Sequence, residues 1–152
     1  ELEARWRADP LTGSVAWTWL HTEVVDAGYD VGPGATFVEG APLIRRPAQT
    51  IAARVAYVSG TRARFVVGAT LVGARADRDF ATFPSRAVTL PAWLDLSAGA
   101  EARVLEGGGG RPSVSLTLRG ENLLDRRHQE VFGFPAPGRV ILVGARAGFG
   151  GG

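Results

Sequence analysis

The sequence predicts an all-β chain built as one antiparallel sheet. Three observations carry that prediction. Seven runs alternate apolar and polar residues with the two-residue period of a strand. The connections between these runs alternate short and long, as in a series of hairpins. No run approaches the roughly 18 consecutive apolar residues of a membrane helix, whereas a membrane strand needs only about 9–11 alternating residues.

Residues 2–8 put Leu2, Ala4 and Trp6 on one face and Glu3, Arg5 and Arg7 on the other. Residues 9–13 (DPLTG) hold aspartate, proline and glycine in turn positions. The second strand is read over residues 14–24, with Val15, Trp17 and Trp19 opposite Ala16, Thr18, Leu20 and Thr22. A Gly- and Pro-rich connection, 25–47, follows and is too irregular for a helix. Residues 48–58 align Ile51, Ala53, Val55 and Tyr57 opposite Arg54, and residues 59–61 form a tight turn. Residues 62–73 set Phe65, Val67, Ala69 and Leu71 against Arg64, Gly68 and Thr70.

A second long loop, 74–92, leads to the strand 93–104. There Leu94, Leu96, Ala98, Ala100 and Val104 face away from Asp95, Ser97, Glu101 and Arg103. The third short connection is 105–112, followed by the strand 113–121, the loop 122–138 and the last strand 139–149. In that strand Ile141, Val143, Ala145 and Ala147 share a face, opposite Gly144, Arg146 and Gly148, with Val140 and Leu142 as apolar exceptions. In the first, fourth, fifth and sixth of these runs charge recurs on one face and is nearly absent from the other, and short turns lie at one end with long loops at the other. That arrangement is the pattern of an outer-membrane barrel wall, with short periplasmic turns and long extracellular loops. Seven strands cannot close such a barrel, so the expectation is an open, curved sheet with two unpaired edges.

Composition narrows the chemistry. The 152 residues carry 17 basic and 15 acidic side chains, and every basic one is arginine. These arginines are spread along strands and loops and not gathered into one cluster, which argues against a nucleic-acid surface. There is no cysteine, hence no disulfide framework and no thiolate metal site. The chain has no methionine and opens inside a strand pattern at Glu1, so it is expected to continue upstream. His21 and His128 lack metal-ligand spacing. Asp77, Arg78 and Asp79 offer too few oxygens for calcium and read as a solvated loop. The glycine run 107–110 lacks the ending of a phosphate loop, and no serine lies in a nucleophile elbow. The sequence points to no enzyme, no cofactor and no metal.

The segment LTLRGENLLDRRHQEVFGFPAPGR, 116–139, resembles the end of TonB-dependent outer-membrane receptors. It matches their penultimate strand, the Asn-Leu-aromatic-Asp step (here Asn122, Leu123, Leu124, Asp125) and the Pro-Gly-Arg entry to a last strand ending on an aromatic, Phe149. Leu124 departs from the usual aromatic, and the glycine tail 150–152 follows where the family ends. Residues 128–139 look closest to the cobalamin-receptor branch.

The resemblance implies that residues 1–149 are the C-terminal part of a transmembrane barrel of roughly 22 strands. Such receptors sit in the outer membrane of Gram-negative bacteria and import a scarce nutrient, cobalamin or an iron-siderophore. The implied partners are outer-membrane lipid, an N-terminal plug domain, the TonB complex and the small nutrient ligand. Loop aromatics Tyr29, Phe37, Phe80, Phe83, Phe132 and Phe134 are then ligand-binding candidates. Arg54, Arg64, Glu101, Arg103, Arg119, Glu121 and Arg146 would face the lumen and plug. Trp6, Trp17, Trp19, Tyr57, Trp93 and Phe149 would form the interfacial girdle. A passive porin-like or adhesin barrel shares every strand feature. A soluble β-sandwich instead requires the apolar faces to pack on one another.

Overall fold

A computed structural model describes residues 1–29, 31–108 and 111–149; residue 30, the last two residues of the glycine run (109–110) and the glycine tail 150–152 lie outside the described residues. Within them the chain forms strands β1 (Leu2–Ala8), β2 (Leu11–Trp19), β3 (Gln49–Ser59) and β4 (Ala63–Val72). These are followed by β5 (Arg75–Asp79), β6 (Arg86–Leu90), β7 (Trp93–Leu105) and β8 (Ser113–Glu121). The last three are β9 (Gln129–Val131), β10 (Phe134–Pro135) and β11 (Val140–Gly148). Seven of them make one open sheet in the order β1-β2-β3-β4-β7-β8-β11. Every pair in it is antiparallel, and the sheet does not close: β1 and β11 are its edges.

The register shows why alternation in sequence becomes two chemically distinct faces. One continuous rung reads Trp6, Gly13, Val55, Val67, Ala98, Gly120 and Ile141 from edge to edge. The next rung, on the opposite face, reads Arg7, Thr12, Ala56, Val66, Gly99, Arg119 and Leu142. Shifting any strand by one residue would exchange its faces, so the pattern fixes the register. No strand residue on the first face carries a charge, and large side chains such as Leu118, Ile141 and Val143 stand exposed on it. Val143 is 80% exposed. Among the described residues the buried apolar side chains are only Val24, Ala56 and Leu90. Among the described residues no second layer covers the apolar face, which is the opposite of what a β-sandwich requires.

Three features depart from expectation. First, β2 begins at Leu11, because Ala8 pairs with Leu11 and leaves only Asp9 and Pro10 as the turn. Thr12 and Gly13 belong to the ladder, and Gly13 lies beneath the Trp6 indole, which occupies the space a Cβ would need. Second, β2 stops at Trp19, so Leu20 and Thr22 leave the sheet; the Thr22 hydroxyl accepts a hydrogen bond from Leu43 N at 3.2 Å. Third, two of the long connections contain hairpins of their own, β5–β6 and β9–β10. The β5 alternation hides from a hydrophobic pattern because its buried residues are Arg75, Asp77 and Asp79. A bulge between Arg103 and Leu105 lets Leu105 oppose Val114.

An apolar face this large and bare drives association in water. The expected outcome is a heterogeneous, sedimenting species in plain buffer and one defined species in detergent micelles, checked by analytical ultracentrifugation. A single monomeric species in buffer without detergent contradicts the bare face.

Candidate functional site

The three long connections, 20–48, 73–92 and 122–139, emerge at the same end of the sheet, since successive strands are antiparallel neighbours. Short connections occupy the other end. The long loops are joined to one another, and the junction is Asp77. Its side chain is wholly buried, the residue being 1% exposed. Asp77 Oδ1 accepts from Arg45 Nε at 2.9 Å and from Arg78 N at 2.8 Å. Asp77 Oδ2 accepts from Phe132 N at 2.7 Å. One carboxylate therefore holds all three loops. Asp77, read from sequence as part of a solvated loop, is instead the most deeply buried polar group here.

Neighbouring bonds reinforce the junction. Arg45 N donates to Ala76 O at 2.7 Å, and the Arg45 guanidinium lies 5.7 Å from the Phe80 ring centroid. Arg78 grips Ser85 twice, Nε to Oγ at 2.9 Å and Nη2 to the carbonyl at 2.8 Å; Ser85 Oγ donates to Gly34 O at 2.8 Å. Buried Arg75 donates Nη2 to Gln129 O at 2.8 Å, while its Nη1 has no partner. Burial pushes the Asp77 carboxyl up. The bonds from Phe132 N, Arg78 N and Arg45, with the charge of Arg45, outweigh that and hold it below the ordinary aspartate range.

The last loop is closed at its base by the motif residues themselves. Asn122, buried and at a φ of 46°, donates Nδ2 to Arg126 O at 3.0 Å and Pro137 O at 3.1 Å, and accepts from Arg126 N at 2.9 Å. Asparagine tolerates this left-handed backbone better than other non-glycine residues. Asp125 Oδ1 accepts from Arg139 N at 2.9 Å, and a Cβ on Gly138 would stand 3.1 Å from that oxygen. The Asn-Leu-Leu-Asp and Pro-Gly-Arg segments, far apart in the loop, thus form one clasp. Above it, His128 stacks on Trp93 with ring centroids 4.1 Å apart.

The loop aromatics are shared evenly among the three loops. Tyr29 and Phe83 are fully exposed, Phe37, Phe80 and Phe134 are exposed, and Phe132 is half-buried with its amide on Asp77. Register puts Arg54, Arg64, Glu101, Arg103, Arg119, Glu121 and Arg146 on one face, together with Glu3, Arg5, Arg7 and Asp95, which the candidate set omitted. Arg119 pairs with Glu121 at 2.8 Å. Trp6, Trp17, Trp19 and Tyr57 stand on the apolar face, Tyr57 beside Phe65 with centroids 6.2 Å apart. Phe149 follows the end of β11 and is exposed. Trp93 is a correction: it opposes Val72 on the charged face, so it does not join the other rings. His21 is exposed beyond the end of β2. Among the described residues no group of three or more potential ligands could hold a metal ion. No protein-family model and no curated protein matches this chain.

Asp77→Ala should loosen all three loops at a cost on the order of 3 kcal/mol, read as faster hydrogen exchange at the Phe132 and Arg78 amides. Arg45→Ala should cost less, because its side chain is 39% exposed and screened by water. The native Asp77 value is depressed, so its contribution is complete above about pH 4 and is lost as pH falls through the lower native value. Loop protection, corrected for intrinsic exchange, should follow that course, and Asp77→Asn should flatten it. Asn122→Ala should cost about 2 kcal/mol and open residues 122–139 to proteases, leaving β5–β6 intact.

Proposed function

We propose that this chain is wall and outer loops of a TonB-dependent receptor barrel in a Gram-negative outer membrane, serving energy-coupled uptake of cobalamin or an iron-siderophore. One observation carries the reading: across seven paired strands, one face holds no charge and leaves its large side chains bare. Lipid is the environment such a face fits, because hydrocarbon accepts apolar side chains and a β-ladder keeps the backbone groups bonded. The open edges at β1 and β11 fit a larger barrel, where further strands would satisfy them.

Two further features support it. Aromatic rings sit toward both ends of the apolar face, Trp17 and Trp19 by the long loops and Tyr57 by the short turns, with Phe149 just past the end of β11. Such rings suit a membrane interface, apolar in body and polar at the tip. The segments that carry the family resemblance also form one physical unit, the Asn122–Asp125 clasp on Pro137 and Arg139. In this reading the charged face looks into the lumen toward a plug, and the tied loops with Tyr29, Phe83 and Phe134 form part of the ligand surface. TonB and the plug are partners outside this chain.

Uptake of labelled cobalamin and of a ferric siderophore by expressing cells, with and without a protonophore, tests the coupling. Loss of one uptake when the proton gradient is removed is expected; uptake that persists marks a passive pore and overturns the coupled reading. Val67→Arg, mid-strand on the apolar face, should cost roughly 2–4 kcal/mol and reduce assembly in the outer membrane, whereas Thr117→Arg on the charged face should not. Equal assembly of both variants sinks the lipid assignment.

A further inference from the structure

The charged face is not uniformly mixed. Its carboxylates Glu3, Asp95 and Glu121 lie at strand ends next to the long loops. Arginines lie in the middle and toward the short turns, where the strand carboxylate among them is Glu101. The centre of this basic region is a hollow of about 390 Å³ bordered by Arg54, Arg64 and Arg119. The hollow is shallow between the arginines because Gly68 and Gly99 project no side chain; Val66, Ser97 and Thr117 also border it, the Ser97 hydroxyl donating to Gly68 O at 3.4 Å. The volume lies within the roughly 300–1,000 Å³ range of small-molecule sites.

The arginines differ in what already engages them. Arg119 is paired with Glu121 at 2.8 Å, and Arg5, on the neighbouring rung position, with Glu3 at 2.6 Å. Arg54 and Arg64 have no ion-pair partner among the described residues. Arg64 opposes Glu101 across the ladder without pairing to it. Two uncommitted guanidinium forks beside a hollow floored by glycines are the chemistry that binds phosphate or carboxylate oxygens bidentately.

We propose that this hollow binds a small, multiply charged oxyanion through Arg54 and Arg64. Glu101 sets the selectivity: a singly charged anion gains little against its repulsion, whereas a ligand with several charges engages both forks and outweighs it. The shared chemistry admits a polyphosphate or a polycarboxylate. The site goes beyond the uptake reading and depends only on the charged face, whatever covers the apolar one.

Calorimetric titration of the protein in uncharged detergent micelles, with pyrophosphate in one arm and citrate in the other, tests this. Saturable binding in at least one arm is expected, and the arm that saturates identifies the source of the oxyanion. Arg54→Gln and Arg64→Gln should each weaken it about tenfold or more. Glu101→Gln should tighten it. Arg62→Gln, in the β3–β4 turn and paired with Glu106 at 2.9 Å, should leave it unchanged. Circular dichroism checks that each variant keeps its strands. No saturable binding at millimolar anion, or equal loss with Arg62→Gln, overturns the site. Neither result bears on membrane assembly, so the two proposals fail separately.

Discussion

The backbone ladder carries this fold, because there is almost no core for side chains to fill. Burial of apolar area, at about 25 cal/mol per Å², is usually the dominant favourable contribution to a domain of this size. Here that area remains on the outside of the sheet, and the buried apolar side chains are Val24, Ala56 and Leu90 among the described residues. Order within the chain therefore comes from paired strands, each bonded to its neighbour along 7 to 10 residues. The energy of covering the apolar face has to come from whatever surrounds it. That requirement links sequence alternation, sheet register and the membrane reading in a single physical statement.

The loops solve a different problem. Segments rich in glycine and proline cannot build a hydrophobic core either, and they use polar burial instead. An enclosed carboxylate is costly unless its oxygens are fully bonded. Asp77 meets the condition by collecting donors from three separate segments, two of them backbone amides. Asn122 does the same on a smaller scale, saturating both amide hydrogens and its oxygen within one loop. Arg75 is less complete, with one nitrogen buried and unbonded.

Legibility from sequence followed the same division. The sheet strands could be read because a two-residue period survives wherever one face is uniformly apolar; β8 spans Ser113–Glu121, as its alternation indicates. The period misled at Thr12 and Gly13, where turn-forming residues sit in the ladder because Trp6 needs a neighbour without a side chain. It was silent for β5, whose buried positions are Arg75, Asp77 and Asp79 and so look like a solvated run. Trp93 was open to a parity argument: it shares odd numbering with Asp95 and Ser97, on the charged side. The Asp77 junction had no local signal at all. Its partners Arg45 and Phe132 lie 32 and 55 residues away, and one of the bonds is to a backbone amide that any residue supplies. The Asn122 motif was visible as a pattern, but its physical basis, a clasp between the loop's two ends, needed the third dimension.

The shared carboxylate also changes what counts as a module in this protein. Surface loops are ordinarily the segments that vary, lengthen and are exchanged most freely. Here a loop transplanted alone would arrive with a severed bond: residues 20–48 without Asp77, or 122–139 without the acceptor for Phe132 N. The unit that can be moved between scaffolds is the three loops together with Arg45 and β5. Diversification of this surface is consequently coupled, and new recognition is easier to obtain at the fully exposed side chains of Tyr29 and Phe83 than at the bonded loop bases.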